Sequence, residues 1–301
     1  MSDDAKAWGE FWANNSGGDA NGCLPERWAA IEDAQRQAWL GFVGDLPEGA
    51  AILDLATGDG RVLHWIYEAR SDMALTGIDL APELPPAPTG TETRGGVAME
   101  DLPFAADSFT GVVSQFGFEY GDVAKIAAEI ARVLRSGGKV GLMVHRGDGP
   151  ILEHNRSRMA AIQWVLGEVD IVTAMTKALD APGAGPQVAA QVGEAVARLG
   201  ASKFGPTSPA WEIPEALKRA CLLDRQQGDA ATRETFAAIA AQAQNEIGRI
   251  ESLARACATA DDRESLVAAF TSLGFTHDGT RPVEEPSGRA LADFLVFSLP
   301  D

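Results

Sequence analysis

Between Ala51 and Val144, short apolar runs alternate with segments whose apolar residues recur every three to four positions, the pattern of a parallel sheet built from strand, helix and strand in turn. The spacing predicts strands over Ala51–Leu55, Ala74–Asp79, Gly111–Ser114 and Lys139–Val144, and helices over Arg61–Arg70 and Val123–Arg135. In the second helix Ile126, Ile130, Val133 and Leu134 share a face, Asp122 stands where an N-cap is needed, and Gly137 is expected to end the helix. Upstream, Trp8, Phe11, Trp12, Trp28 and Trp39 give residues 1–49 more aromatic surface than a free tail carries, so this segment is expected to pack on the domain as helices.

After Val144 the alternation stops. Residues 147–261 are Ala-rich with a helical period, broken at Pro182, Gly183, Gly185, Pro186, Gly205, Pro206 and Pro209. A helix near Arg263–Leu273 closed by Gly274, then strand-like runs near Phe275–Val283 and Ala292–Ser298, resume the sheet pattern. The expected organisation is therefore one core, 50–146 with 262–301, interrupted by a helical insertion, 147–261. Within the helix 230–257, Phe236, Ala240, Ala243, Ile247, Ile250, Ala254 and Cys257 step alternately by four and three, a heptad stripe that suits either a homodimer seam or packing against the chain itself.

Composition narrows the function. The 301 residues are 46% hydrophobic, enough for a large buried core. Against 25 Lys and Arg stand 43 Asp and Glu, a net charge of −18 that repels phosphate backbones and anionic headgroups, so neither nucleic acid nor a membrane is an expected partner. Cys23, Cys221 and Cys257 are too far apart for a zinc motif or a disulfide framework, and no metal site is expected. The first residues, MSDDAKAWGEFWANN, lack the basic and apolar regions of a signal peptide, and no uncharged apolar run reaches membrane-spanning length; a cytoplasmic protein is expected.

The chemistry concentrates in ILDLATGDGRVLHWI, Ile52–Ile66, where a strand enters a turn holding Gly58 and Gly60 and then a helix. Glycine lets a ligand approach the backbone, and the helix start offers unpaired N–H groups. About twenty residues on, GID places Asp79 at the end of the second strand, where a carboxylate can accept from both ribose hydroxyls of a nucleoside. A plain strand-to-helix turn followed by a capping Asp is the structural alternative.

LDLATGDG, GIDL, EDLPF, DSF and RVLRSGG, in this order and spacing, resemble the class I S-adenosylmethionine-dependent methyltransferases, notably the small-molecule type related to the quinone-biosynthesis enzymes. The resemblance covers residues 50–144 well and the last forty loosely. It implies a Rossmann-like, doubly wound α/β fold: a mostly parallel seven-stranded sheet with an antiparallel last strand and the helical insertion before the last two strands. It places Asp54, Ala56, Thr57, Gly58 and Gly60 at the methionine part of S-adenosylmethionine, Asp79 at the ribose, Leu80 against adenine, Met99 and Glu100 at the adenine edge, and Gln115 and Phe116 facing the methyl group. Where the family commonly has an Asp two places before the EDLPF run, this chain has Ala98, so Glu100, Asp101 or water would read the adenine amino group.

The implied reaction moves a methyl group to a small-molecule acceptor and leaves S-adenosylhomocysteine. His145, directly after the fifth strand, is the expected general base, since ligands of open α/β sheets lie beyond the carboxyl ends of the strands. Tyr120, His154 and Trp164 are further candidate acceptor contacts, with residues 1–49 over the cofactor and 147–261 on the acceptor side. Two other functions fit less of the pattern. A non-catalytic S-adenosylmethionine-binding or regulatory protein would keep the glycines and Asp79 without a base; an NAD-dependent dehydrogenase would need the GxGxxG that is absent here.

Overall fold

A computed structural model describes residues 29–182, 185–223 and 229–301; Trp8, Phe11, Trp12, Cys23, Trp28 and Gly183 lie outside them. The chain divides into two compact units, the first formed in its described part by residues 29–152 and 252–301, the second by Glu153–Glu251.

In the first unit, α1 (Ala29–Gly44) precedes β1 (Ala51–Leu55), α2 (Arg61–Ala69), β2 (Ala74–Ile78), β3 (Thr91–Arg94), β4 (Phe109–Gln115), α3 (Val123–Val133) and β5 (Leu134–His145). After the second unit come α9 (Arg263–Thr271), β6 (Thr276–Glu284) and β7 (Ala290–Ser298). The strands form one seven-stranded sheet in the order β3-β2-β1-β4-β5-β7-β6. β1 to β5 pair in parallel, and β7 runs antiparallel to both its neighbours. This is the doubly wound sheet with an antiparallel last strand, and the helical insertion stands before the last two strands.

Strand alternation sorts the side chains into two cores. Leu53, Leu55, Val112, Val140, Leu142 and Val144 pack with Ile126, Ile130 and Val133 of α3 and Phe270 of α9. Ile52, Val113, Met143 and Phe294 pack on the other face with Trp39 and Phe42 of α1 and with Leu63 and Ile66 of α2. Gly141 permits the α1 contact, because a Cβ there would lie 3.1 Å from both Trp39 and Phe42. By the same period of two, Asp54, Gln115 and His145 belong to the face of Ile52, Val113 and Met143, at the carboxyl ends of adjacent strands.

Two expectations fail locally. Gly137 does not end α3: Leu134 already leaves helical geometry and pairs with Phe109, so the helix ends at Val133 and β5 begins at once. Gly137 instead sits inside β5 with φ 73° and donates its N–H to Leu299 O at 2.9 Å. β3 was not expected, because the edge strand TETR has no buried face and so no apolar alternation to betray it. Asp122 does cap α3, accepting from the Lys125 N–H at 3.2 Å.

The second unit is helical: α4 (Pro150–Gln163) runs into it through a π-turn (Trp164–Glu168), followed by α5 (Ile171–Asp180), α6 (Pro186–Phe204), α7 (Pro209–Leu223) and α8 (Asp229–Asp261), which returns to the first unit. Pro186 and Pro209 each open a helix, where the missing N–H costs nothing. Its core includes Ile162, Met175, Leu217, Phe236, Ala243 and Ile247.

Candidate functional site

The strand order places the switch point between β1 and β4, where a ligand crevice opens in doubly wound sheets. The backbone is unusual on both sides of it. Ala56, after β1, has φ 55°, and Phe116, after β4, has φ 57°, left-handed conformations that side-chain-bearing residues rarely adopt. Such strain persists where the surroundings fix it and clusters at functional sites. Here Phe116 donates its N–H to Met143 O at 2.8 Å, and Thr57 donates to Ile78 O at 2.8 Å.

The loop from Ala56 to Gly60 is tied to β2 by charge. Asp79 accepts the Gly58 N–H on one carboxylate oxygen at 3.0 Å and the Ala81 N–H on the other at 2.9 Å. A carboxylate offers about four acceptor sites, so Asp79 retains acceptor capacity. Burial raises the Asp79 pKa, and the N–H groups of Ala81, Gly58 and Leu80 oppose that rise. Asp54 is more deeply enclosed, 1% exposed, and accepts from the Thr57 hydroxyl at 2.7 Å. Burial pushes its pKa up to about 8 against the pull of that hydroxyl, and the charges of Asp79 and Asp59 add to the rise. Leu80, beside Asp79, leaves 40% of its surface exposed.

The EDLPF and RVLR motifs prove to be two halves of one clamp. Arg132 of α3 donates to Phe104 O at 2.6 Å and Leu102 O at 2.9 Å and pairs with Glu129, whose other role is to accept the Leu102 N–H at 2.7 Å. Arg135 holds Asp107 O and Ser108 O in the same manner. The clamp fixes the loop that carries Met99 and Glu100. Met99 packs on the α3 core, and Glu100 accepts the Asp122 N–H at 3.0 Å, which commits one of its oxygens to the start of α3.

At the end of β4, Gln115 accepts from the Trp39 indole at 2.6 Å and donates to Gln35 at 3.2 Å, so its amide is engaged by α1. The next turn brings Phe116, Glu119, Tyr120 and His145 together. The His145 ring lies 4.3 Å from the Phe116 ring and 5.9 Å from the Tyr120 ring. One oxygen of Glu119, Oε1, lies 2.7 Å from His145 Nδ1 and 2.9 Å from its main-chain nitrogen. Glu119 as the partner of His145 was not legible in sequence: 26 positions separate them, and the only hint is an acidic residue in an otherwise apolar run.

The other histidines stand elsewhere. His64 is on α2 beside Glu68, and His277 on β6 beside Thr280. His154 lies on α4, and Trp164 packs 5.6 Å from Phe204 in the second unit. Among the described residues no group of three or more His, Cys, Asp or Glu is arranged to hold a metal, and no helix is long and apolar enough to cross a membrane.

The sheet order and the loop at its switch point, with Asp79 at the end of β2, are those of a Rossmann-like, doubly wound fold. Residues 53–142 match the family described as Methyltransferase domain. The ubiquinone/menaquinone biosynthesis C-methyltransferase of Geotalea daltonii is 35% identical over 100 residues, 30% of this chain and 43% of that protein. The Bdellovibrio bacteriovorus enzyme of the same name is 37% identical over 100 residues, 31% and 43% of the two chains. The chain thus spans less than half the length of these curated relatives. Among solved structures, Burkholderia thailandensis 1,6-didemethyltoxoflavin-N1-methyltransferase, bound to 1,6-didemethyltoxoflavin and S-adenosylhomocysteine, aligns over 99% of this chain and 89% of its own at 13% identity, with a TM-score of 0.47.

Proposed function

We propose that this chain is a cytoplasmic S-adenosylmethionine-dependent methyltransferase acting on a small molecule. The observation that carries the reading is the tie between Gly58 and Asp79, which joins the β1 loop to the end of β2 beside the switch point. The residues suit the cofactor: the remaining acceptor capacity of Asp79 matches a ribose hydroxyl, exposed Leu80 offers an apolar face to adenine, and Asp54 would face the methionine ammonium on giving up the proton that burial makes it hold. S-adenosylmethionine supplies an activated methyl group. Ala56, Thr57, Gly58 and Gly60 orient the methionine end, Met99 and Glu100 border the adenine, and Gln115 and Phe116 stand toward the methyl group.

Alignment of acceptor and methyl carbon accounts for a large share of such a rate enhancement. His145 takes the acceptor's proton, and Phe116 and Tyr120, packed around its ring, contact the acceptor. We further propose that the insertion 147–261, which leaves β5 at its carboxyl end, selects the acceptor, with His154 and Trp164 as contacts, and that residues 1–49 cover the cofactor. Association of two copies through 230–257 has a competitor for its stripe, since Phe236, Ala243 and Ile247 are buried in the second unit's own core. Methyl-labelled S-adenosylmethionine incubated with the protein and a small-molecule extract tests the reading: label should pass to a small molecule. Label confined to cofactor and water would overturn it.

A further inference from the structure

We propose that Glu119 is the positioning residue for His145, holding the imidazole as the Nδ1–H tautomer so that Nε2 carries the lone pair. The inference rests on the methyltransferase reading above. The inference is drawn from the two contacts made by Oε1, with Glu119 taken as the carboxylate. The main-chain N–H of His145 can only donate, so Oε1 is an acceptor, and a carboxylate accepting at 2.9 Å from that N–H and lying 2.7 Å from Nδ1 draws the ring proton to Nδ1.

The support is rigid and dry. The Glu119 side chain has no exposed surface, and its second oxygen, Oε2, is buried without a hydrogen-bond partner, so solvent screens the pair little. The turn that carries Glu119 is locked by Ser114, whose hydroxyl donates to Leu55 O at 2.9 Å and accepts the Phe118 N–H at 3.1 Å. Gly117 is required there, since a Cβ would come within 2.4 Å of Ala56 Cβ. Phe116 packs beside the imidazole with its ring tilted 32°, and Tyr120 makes a T-shaped contact with it. Among the described residues no hydrogen bond to Nε2 accompanies the one at Nδ1, and His145 keeps 6% of its surface exposed.

In the transfer, a lone pair of the acceptor forms the new bond to the methyl carbon while the carbon–sulfur pair returns to sulfur. The acceptor's proton passes to Nε2. One positive charge disappears at sulfur and one appears on the imidazolium, where the Glu119 carboxylate faces it. Glu119 touches no reacting atom.

The test reads the tautomer directly. In protein labelled with 15N-histidine, at alkaline pH, ring couplings report which nitrogen bears the proton, and loss of one set of signals in H145N identifies His145 among the four histidines. The wild type should show Nδ1–H. E119Q, whose amide oxygen can still accept, should keep it, and E119A should shift His145 toward Nε2–H; S-adenosylhomocysteine affinity should stay within about twofold in both. A wild-type Nε2–H ring, or a tautomer unchanged in E119A, overturns the proposal. If E119A does not fold, the wild-type and E119Q spectra decide. Failure of S-adenosylhomocysteine to bind the wild type would instead sink the methyltransferase reading, whatever the tautomer.

Discussion

Replacing Asp54 by asparagine should stabilise the protein, and by an amount that grows with pH. Asp54 is buried at the end of β1 with its pKa pushed up to about 8 from an ordinary 3.8. A group whose folded pKa is raised contributes its full stability below the unfolded pKa and loses it as pH rises through the folded pKa. Between about pH 4 and pH 8 the folded chain must therefore hold a proton that the unfolded chain releases. At about 1.4 kcal/mol per unit, the cost at pH 7 approaches roughly 4 kcal/mol as an upper bound, with relaxation and water entry reducing it. The amide introduced by D54N is nearly isosteric with the protonated acid, and its oxygen can still accept the Thr57 hydroxyl. Urea unfolding of both proteins from about pH 4 to about pH 9 reads the difference as a midpoint shift at constant slope. D54N should match the wild type near pH 4 and exceed it by about 2–4 kcal/mol at about pH 8. A pH-independent difference would show that Asp54 ionises normally despite its burial.

Asp79→Ala should weaken S-adenosylhomocysteine binding by about 1.5–3 kcal/mol in calorimetry, the loss of charge-assisted hydrogen bonds; unchanged affinity would place the ribose elsewhere. His145→Ala should lower turnover about a hundredfold with cofactor affinity retained, whereas a silent substitution would leave alignment as the whole mechanism. Arg132→Ala should speed amide exchange at Leu102, whose N–H rests on Glu129, and cost about 1–2 kcal/mol in urea unfolding, a figure kept low by the partial exposure of the pair; unaltered exchange would refute the clamp. Trp39→Phe removes the indole donor to Gln115 from a fully buried position and should cost about 2 kcal/mol, measured the same way; a neutral result would mean the Gln115 amide is satisfied otherwise.

What could be read in the chain follows from which forces leave a local trace. β1 is bounded correctly at both ends because four of its five residues are buried, and the start of α3 because its apolar face and Asp122 cap are both short-range signals. β3 pairs on one edge only and carries no apolar face, so it left none. Gly137 misled because glycine marks any left-handed turn, whether at a helix end or, as here, inside a strand. Asp54, Gly58 and Asp79 could be singled out because turn chemistry and strand ends are local. Glu119 beside His145 and Gln35 on Gln115 are long-range pairings, made by β4 and β5 lying side by side and by α1 packing across the sheet. The EDLPF and RVLRSGG motifs could be read as part of a resemblance, but their joint role as a backbone clamp required the contacts of Arg132 and Arg135 to be seen.

The central claim is that the loop between Gly58 and Gly60, tied to Asp79, receives the nucleoside sulfonium. Calorimetric titration of the purified protein with S-adenosylmethionine tests it most directly, with NAD as the competing ligand. The account predicts one saturable site for S-adenosylmethionine and for S-adenosylhomocysteine, and no heat from NAD. Binding of NAD, with neither sulfur nucleoside bound, would contradict it.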